Sequence, residues 1–163
     1  MPGCKTHQCV GAMAGAFDAW YQAREKANAD LLIETIGGAI GGCVGGMLPD
    51  ILEPADSSWH RDVGHSVGIG GGVLALRATL AEMAQQCRDT AQQYRAIQMV
   101  AVPGLNAFVP PPVDPLAQLF GNLAELFWRL LAGFLNGLSA GYTSHLLLDA
   151  ATPRGIPLLA GRF

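Results

Sequence analysis

The stretch DLLIETIGGAIGGCVGGM, residues 30–47, decides the fold. Glycine pairs recur there every four residues, as Gly37–Gly38, Gly41–Gly42 and Gly45–Gly46. Each glycine weakens an isolated helix by about 1 kcal/mol relative to alanine. The four-residue spacing is nevertheless helical. It offsets that cost only if another helix packs close against the bare backbone, which small residues at every fourth position allow. The stretch therefore predicts a buried helix from Asp30 to Met47, broken by Pro49.

Working outward, a first helix is predicted from Thr6, a good N-cap, to about Asn28. Its apolar stripe is Val10, Ala14, Phe17 and Tyr21. Residues 50–62 read as a loop, with Pro54, Asp56, Ser57 and Ser58 as turn formers. A third helix runs from near Gly64 to Ile97. Its second half, RATLAEMAQQCRDTAQQYR (77–95), reads as a solvated amphipathic face. The segment VPGLNAFVPPPVDP (102–115) holds five prolines and is predicted to be an irregular loop. The last helix spans Leu116 to Ala150 and ends before Thr152-Pro153. No alternating strand pattern stands out. The expectation is an all-α fold, a compact bundle of four to five helices with Gly-rich buried helices and a Pro-rich loop, as one domain over residues 1–163.

Half of the chain is hydrophobic and 14% is charged. The net charge of −3 excludes a broad basic nucleic-acid surface. Cys4, Cys9, Cys43 and Cys87 form no CxxC pair, which argues against a thiolate zinc site and for free thiols in a reducing compartment. The N-terminal apolar run is interrupted by His7, Gln8 and Asp18, unlike a signal peptide. A membrane span needs roughly 20 apolar residues. The best candidate, Leu130 to Leu148, carries Asn136, Ser139, Tyr142, Thr143, Ser144 and His145, so it reads as a helix buried in protein. The Gly-rich run before Pro49 reads as too short. No clear spanning segment is expected.

The chemistry lies with the histidines. His145 and Asp149 are four apart on one helix face. His60 and His65 flank the polar segment HRDVGH, His7 stands near the start of the first helix, and Asp50 and Glu53 bracket a helix-to-loop break. Imidazole nitrogens and carboxylate oxygens are the ligands zinc takes outside thiolate sites. A lone histidine on an apolar face is usually structural, and a buried Asp149 could instead pair with Arg61 or Arg154 in a salt-bridge network. Three features carry less. GIGGGV (68–73) lacks the P-loop lysine, Ser66 has no nucleophile elbow, and Trp20, Trp59 and Trp128 read as core or rim aromatics.

Four motifs resemble those of the YdjM-like family of inner-membrane-associated metal-dependent hydrolases: THQCVGAMAG (6–15), GGMLPDILEP (45–54), HRDVGHS (60–66) and GYTSHLLLDAATPRGIPLL (141–159). That family is distantly similar to zinc-dependent phospholipase C and the zinc single-strand nucleases, all-helical enzymes that cleave phosphoesters. The resemblance implies His7, Asp50, His60, His65, His145 and Asp149 as metal ligands, with Glu53 a further candidate. The phospholipases use more histidines than the four present, so one or two divalent ions are implied, zinc foremost and manganese or magnesium as alternatives.

The resulting expectation is a hydrolase acting on a small-molecule, lipid or nucleotide phosphoester through a metal-activated water. Asp50 would bridge or orient the water, and Arg61 would clamp an anionic substrate. The chain would be cytoplasmic and peripheral on the inner membrane. The alternative is a non-enzymatic helical module whose structural metal site locks it for docking on a membrane or protein partner. A third, weaker reading is an integral membrane protein with Gly-rich helices packed in lipid.

Overall fold

A computed structural model describes residues 4–52, 67–97, 100–101, 108–109 and 115–151. Among them are four helices: α1 (Cys4–Ala23), α2 (Asn28–Leu52), α3 (Val67–Ile97) and α4 (Pro115–Ala150). The all-α expectation holds. The only strands among the described residues, β1 (Val100–Ala101) and β2 (Phe108–Val109), pair antiparallel, β2 inside the segment read as irregular and β1 just before it.

The glycine pairs of α2 do what their spacing requires. A Cβ at Gly38, Gly42 or Gly46 would run into α1, at the backbone of Gly15, Gly11 and His7 respectively. A Cβ at Gly37, Gly41 or Gly45 would run into α4, at Leu130, Phe134 and Leu138. From α4, Gly133, Gly137 and Gly141 return the contact onto Glu34, Gly38 and Gly42. The pairings descend along α1 as they rise along α2, so these two helices are antiparallel. They rise together on α2 and α4, which are parallel. Cys87 and Ala84 of α3 pack with Ala132, while Thr79, Leu80 and Met83 share a cavity with Leu138 and Tyr142. Hence α3 is antiparallel to α4, and the four helices alternate in direction along the chain.

Three expectations need correction. The helix does not break at Pro49: α2 continues to Leu52 with Pro49 buried inside it. In the last turns of a helix a proline removes one hydrogen bond without ending the element. With that extension α2 is 25 residues, roughly 38 Å long, and is the one described helix long and apolar enough to cross a bilayer. The candidate span is thus the Gly-rich helix, not 130–148. Finally, the stripe Val10, Ala14, Phe17 and Tyr21 is not what α1 buries. Its buried line is His7, Gly11, Gly15, Ala19 and Ala23, while Phe17 and Tyr21 face outward. Close helix approach selects the smallest residues for the interface and leaves the large ones outside.

The same inversion runs through the molecule. The buried hydrophobic residues are mostly alanines, and the largest fully buried side chains include Arg129, His145, Glu34 and Asp149. Phe17, Trp20, Leu32, Ile36, Phe120 and Phe127 are exposed, as are many other large apolar residues of α1, α2 and α4.

Candidate metal centre at one end of the bundle

Helix direction gathers the site. The first turn of α1 and the last turns of α2 and α4 lie at the same end of the bundle. They carry His7, Asp50, and the pair His145 and Asp149 respectively. His7, His145 and Asp149 are all buried, His145 completely so. Their ligand atoms lie within 4.8 Å of one another. His7 Nε2 is 3.6 Å from Asp149 Oδ1, and His145 Nε2 is 3.5 Å from Asp149 Oδ2. His145 Nε2 also lies 3.7 Å from Asp50 Oδ1, whose side chain keeps 25% of its surface exposed. The two imidazoles stack with centroids 3.7 Å apart and planes 20° from parallel.

One contact fixes the chemistry of His145. Its Nδ1 is 2.6 Å from the Gly46 carbonyl oxygen, an acceptor only, so Nδ1 carries the proton and donates. That carbonyl is reachable because α2 and α4 approach closely, with Gly45 and Gly141 at the contact. Nε2 then points at two carboxylates. A neutral imidazole would aim a lone pair at two anions, so the arrangement calls for a cation there, either a second proton on the ring or a metal ion. The separations of 3.5–3.7 Å are at or slightly beyond the spacing of donors that share one ion. Ligand atoms about 2.0–2.2 Å from a tetrahedral zinc ion stand roughly 3.3–3.5 Å apart. The imidazole N–H to backbone carbonyl bond is also the usual support of a metal-bound histidine. The C-terminal ends of α2 and α4 add partial negative charge at this end.

Four of the seven candidate ligands are therefore brought together: His7, Asp50, His145 and Asp149. Glu53, His60 and His65, with Arg61 and Arg154, lie outside the described residues. So does Trp59, while Trp20 is exposed and Trp128 half-buried. Cys9, Cys43 and Cys87 are free.

The sequence reading missed a second polar cluster, at the opposite end. Arg95 grips Asp30 with two hydrogen bonds of 2.8 and 3.1 Å and also pairs with Glu125. Arg129 reaches Glu125 at 3.0 Å and Asp30 at 3.2 Å. Glu34, fully buried, accepts from Arg88 Nε and Lys26 Nζ at 2.8 Å each. Burial pulls the Lys26 ammonium below the ordinary lysine range, against the opposing pull of the Glu34 carboxylate. The half of α3 read as solvated thus supplies Arg88 to the interior and Arg95, its side chain 41% exposed, to the edge of the cluster. The legible signal was periodicity: Ala84, Arg88, Ala91 and Arg95 form one stripe, while Asp30 and Glu34, and Glu125 and Arg129, each stand four apart in apolar helices.

A family model described as YdjM inner membrane protein matches residues 1–160 of the chain. No curated protein and no solved structure matches it significantly.

Proposed function

The chain belongs to the YdjM inner membrane protein family, and from that membership and its buried donor set we propose that it is a membrane-embedded, metal-dependent hydrolase of phosphoesters. The observation that carries the reading is His145, tied at Nδ1 by Gly46 and facing Asp149 and Asp50 with Nε2. His7, His145 and Asp149 are the residues that would hold a divalent ion, zinc foremost. When bound, such an ion supplies a Lewis acid and lowers the pKa of a coordinated water towards 7.

The chain's own residues divide the remaining work. Gly46 fixes the His145 ring and its tautomer. Asp149 spans the two imidazoles, one carboxylate oxygen toward each. Asp50, a quarter exposed, is the carboxylate we assign to accept the proton of an attacking water. Arg61 is assigned the phosphate clamp on its chemistry alone. The alternative, a structural metal site in a docking module, differs by the open position: a structural site is closed by protein ligands.

The test begins with metal content of freshly purified protein in detergent, read by elemental analysis. Bound zinc at about one equivalent is expected, lost in His145→Ala and Asp149→Ala. Asp50→Asn should keep metal and lose most turnover across a panel of phosphomonoesters and phosphodiesters. A metal-loaded, folded protein that cleaves nothing in the panel would replace the hydrolase with the structural reading. Metal-free protein whose melting ignores chelators would remove both.

A further inference from the structure

At the level where α1, α2 and α4 present phenylalanine, leucine and isoleucine outward, the outer face of α3 presents amides and acids. Ala78, Glu82, Gln85, Asp89, Gln92 and Ala96 are all exposed. Their spacing alternates four and three residues, which is the seam of a helix that packs lengthwise on another helix. Polar side chains on a bundle embedded in lipid must be covered by protein or face water.

The spacing of this seam is the same from both ends, and reversal exchanges each acid for an amide. About a point level with Cys87, Ala78 mirrors Ala96, Glu82 mirrors Gln92, and Gln85 mirrors Asp89. We infer that α3 is the face on which a second copy of this chain binds, antiparallel, with a twofold axis crossing the helix at Cys87. In that pairing every carboxylate meets an amide of the other copy, and an amide N–H donates to a carboxylate oxygen in each polar layer. The alanines at the two ends let the helices close. A parallel pair would instead set Glu82 against Glu82 and Asp89 against Asp89, and like charges directly opposed are unfavourable. Gln85 Nε2 already donates to Asp89 Oδ1 at 2.8 Å within one helix, so the same donor and acceptor are available for exchange between two.

The axis crosses the bundle, so the two copies lie end for end. With α2 across the bilayer they are inserted in opposite senses. The internal connections do not oppose this: Arg24 and Lys26 stand between α1 and α2, and Arg61 between α2 and α3. That is a small lysine and arginine asymmetry for a signal that ordinarily fixes one orientation.

The test uses the full chain in mild detergent, with mass and dimer dissociation constant from sedimentation. A dimer is expected. Gln92→Lys should tighten it several-fold, because the new ammonium faces Glu82 of the other copy on both sides of the axis. Gln92→Glu should weaken it by a similar factor. With Cys4, Cys9, Cys43 and Cys87 replaced by alanine, the double variant Glu82→Cys with Gln92→Cys should cross-link between copies under oxidation, and neither single variant should. A monomer at all concentrations overturns the inference. So does a dimer that Gln92→Lys weakens or leaves unchanged, and so does self-cross-linking of Glu82→Cys alone.

Discussion

His145 shows what one residue can be asked to do in a buried position: one ring nitrogen is committed to a backbone carbonyl, and the other faces two carboxylates. Arg129 is the corresponding residue at the other end, where it is almost fully buried and touches Glu125, Asp30 and Glu34. Breaking a buried ion pair by removing one partner costs about 3–5 kcal/mol, since the remaining charges stay buried. Arg129→Met should therefore lower thermal stability sharply and leave metal content of the surviving folded protein intact. An unchanged melting temperature would show that solvent already reaches the cluster. The histidine site was legible at this scale, because His145 and Asp149 are four apart in a visibly buried stretch. The ion-pair cluster left only its stripe in the sequence, Ala84, Arg88, Ala91 and Arg95, since the partners of Arg88 and Arg95 lie on α2 and α4 and share no local pattern with them.

At the scale of elements, glycine means two different things in this chain. Gly42 lies against α1, and its own backbone receives Gly141 of α4, so a methyl there meets main chain that cannot move aside. Overpacking of this kind costs about 1–3 kcal/mol, and Gly42→Ala should destabilise the fold by that amount. Gly72 in α3 is exposed, with open space where a Cβ would go. Gly72→Ala should stabilise by roughly 0.5–1 kcal/mol through helix propensity alone. Thermal melts of the two variants side by side check both signs, and equal effects would contradict the packing described for α2. The glycine periodicity announced a tight interface in the sequence. It could not announce that the interface would put Phe17 and Tyr21 outside, because a stripe of large apolar residues reads the same whether it faces protein core or lipid.

For the whole molecule, the decisive feature is the exchange of inside and outside: charges and alanines within, large apolar side chains without. Water does not favour that arrangement, and a hydrocarbon surround does. Extraction from membranes should require detergent, and removing the detergent should precipitate the protein; quantitative release by high salt or carbonate would contradict embedding. A bound ion adds stability of RT ln(1 + [L]/Kd), about 4 kcal/mol at a thousandfold excess over Kd. A chelator should therefore lower the melting temperature of the solubilised protein, and His145→Ala should remove that sensitivity. The candidate span was put on the wrong helix in the sequence, where Pro49 looked like a stop and α2 read as shorter than its 25 residues.

The small residues that let α1 and α2 touch repeat every four positions on both helices, like a rack with evenly spaced teeth. Gly11 already lies against Gly42 and Gly46, and Gly15 against Gly38 and Gly42. Sliding α1 by one turn, about 5.4 Å, moves Gly15 between Gly42 and Gly46 and Ala19 between Gly38 and Gly42, small still facing small. Backbone fit alone therefore distinguishes poorly between neighbouring settings. The same slide carries His7 farther than its 3.6 Å separation from Asp149, out of reach of the carboxylate it shares with His145. The buried histidine and aspartate thus act as the index mark of the assembly, selecting one tooth among several.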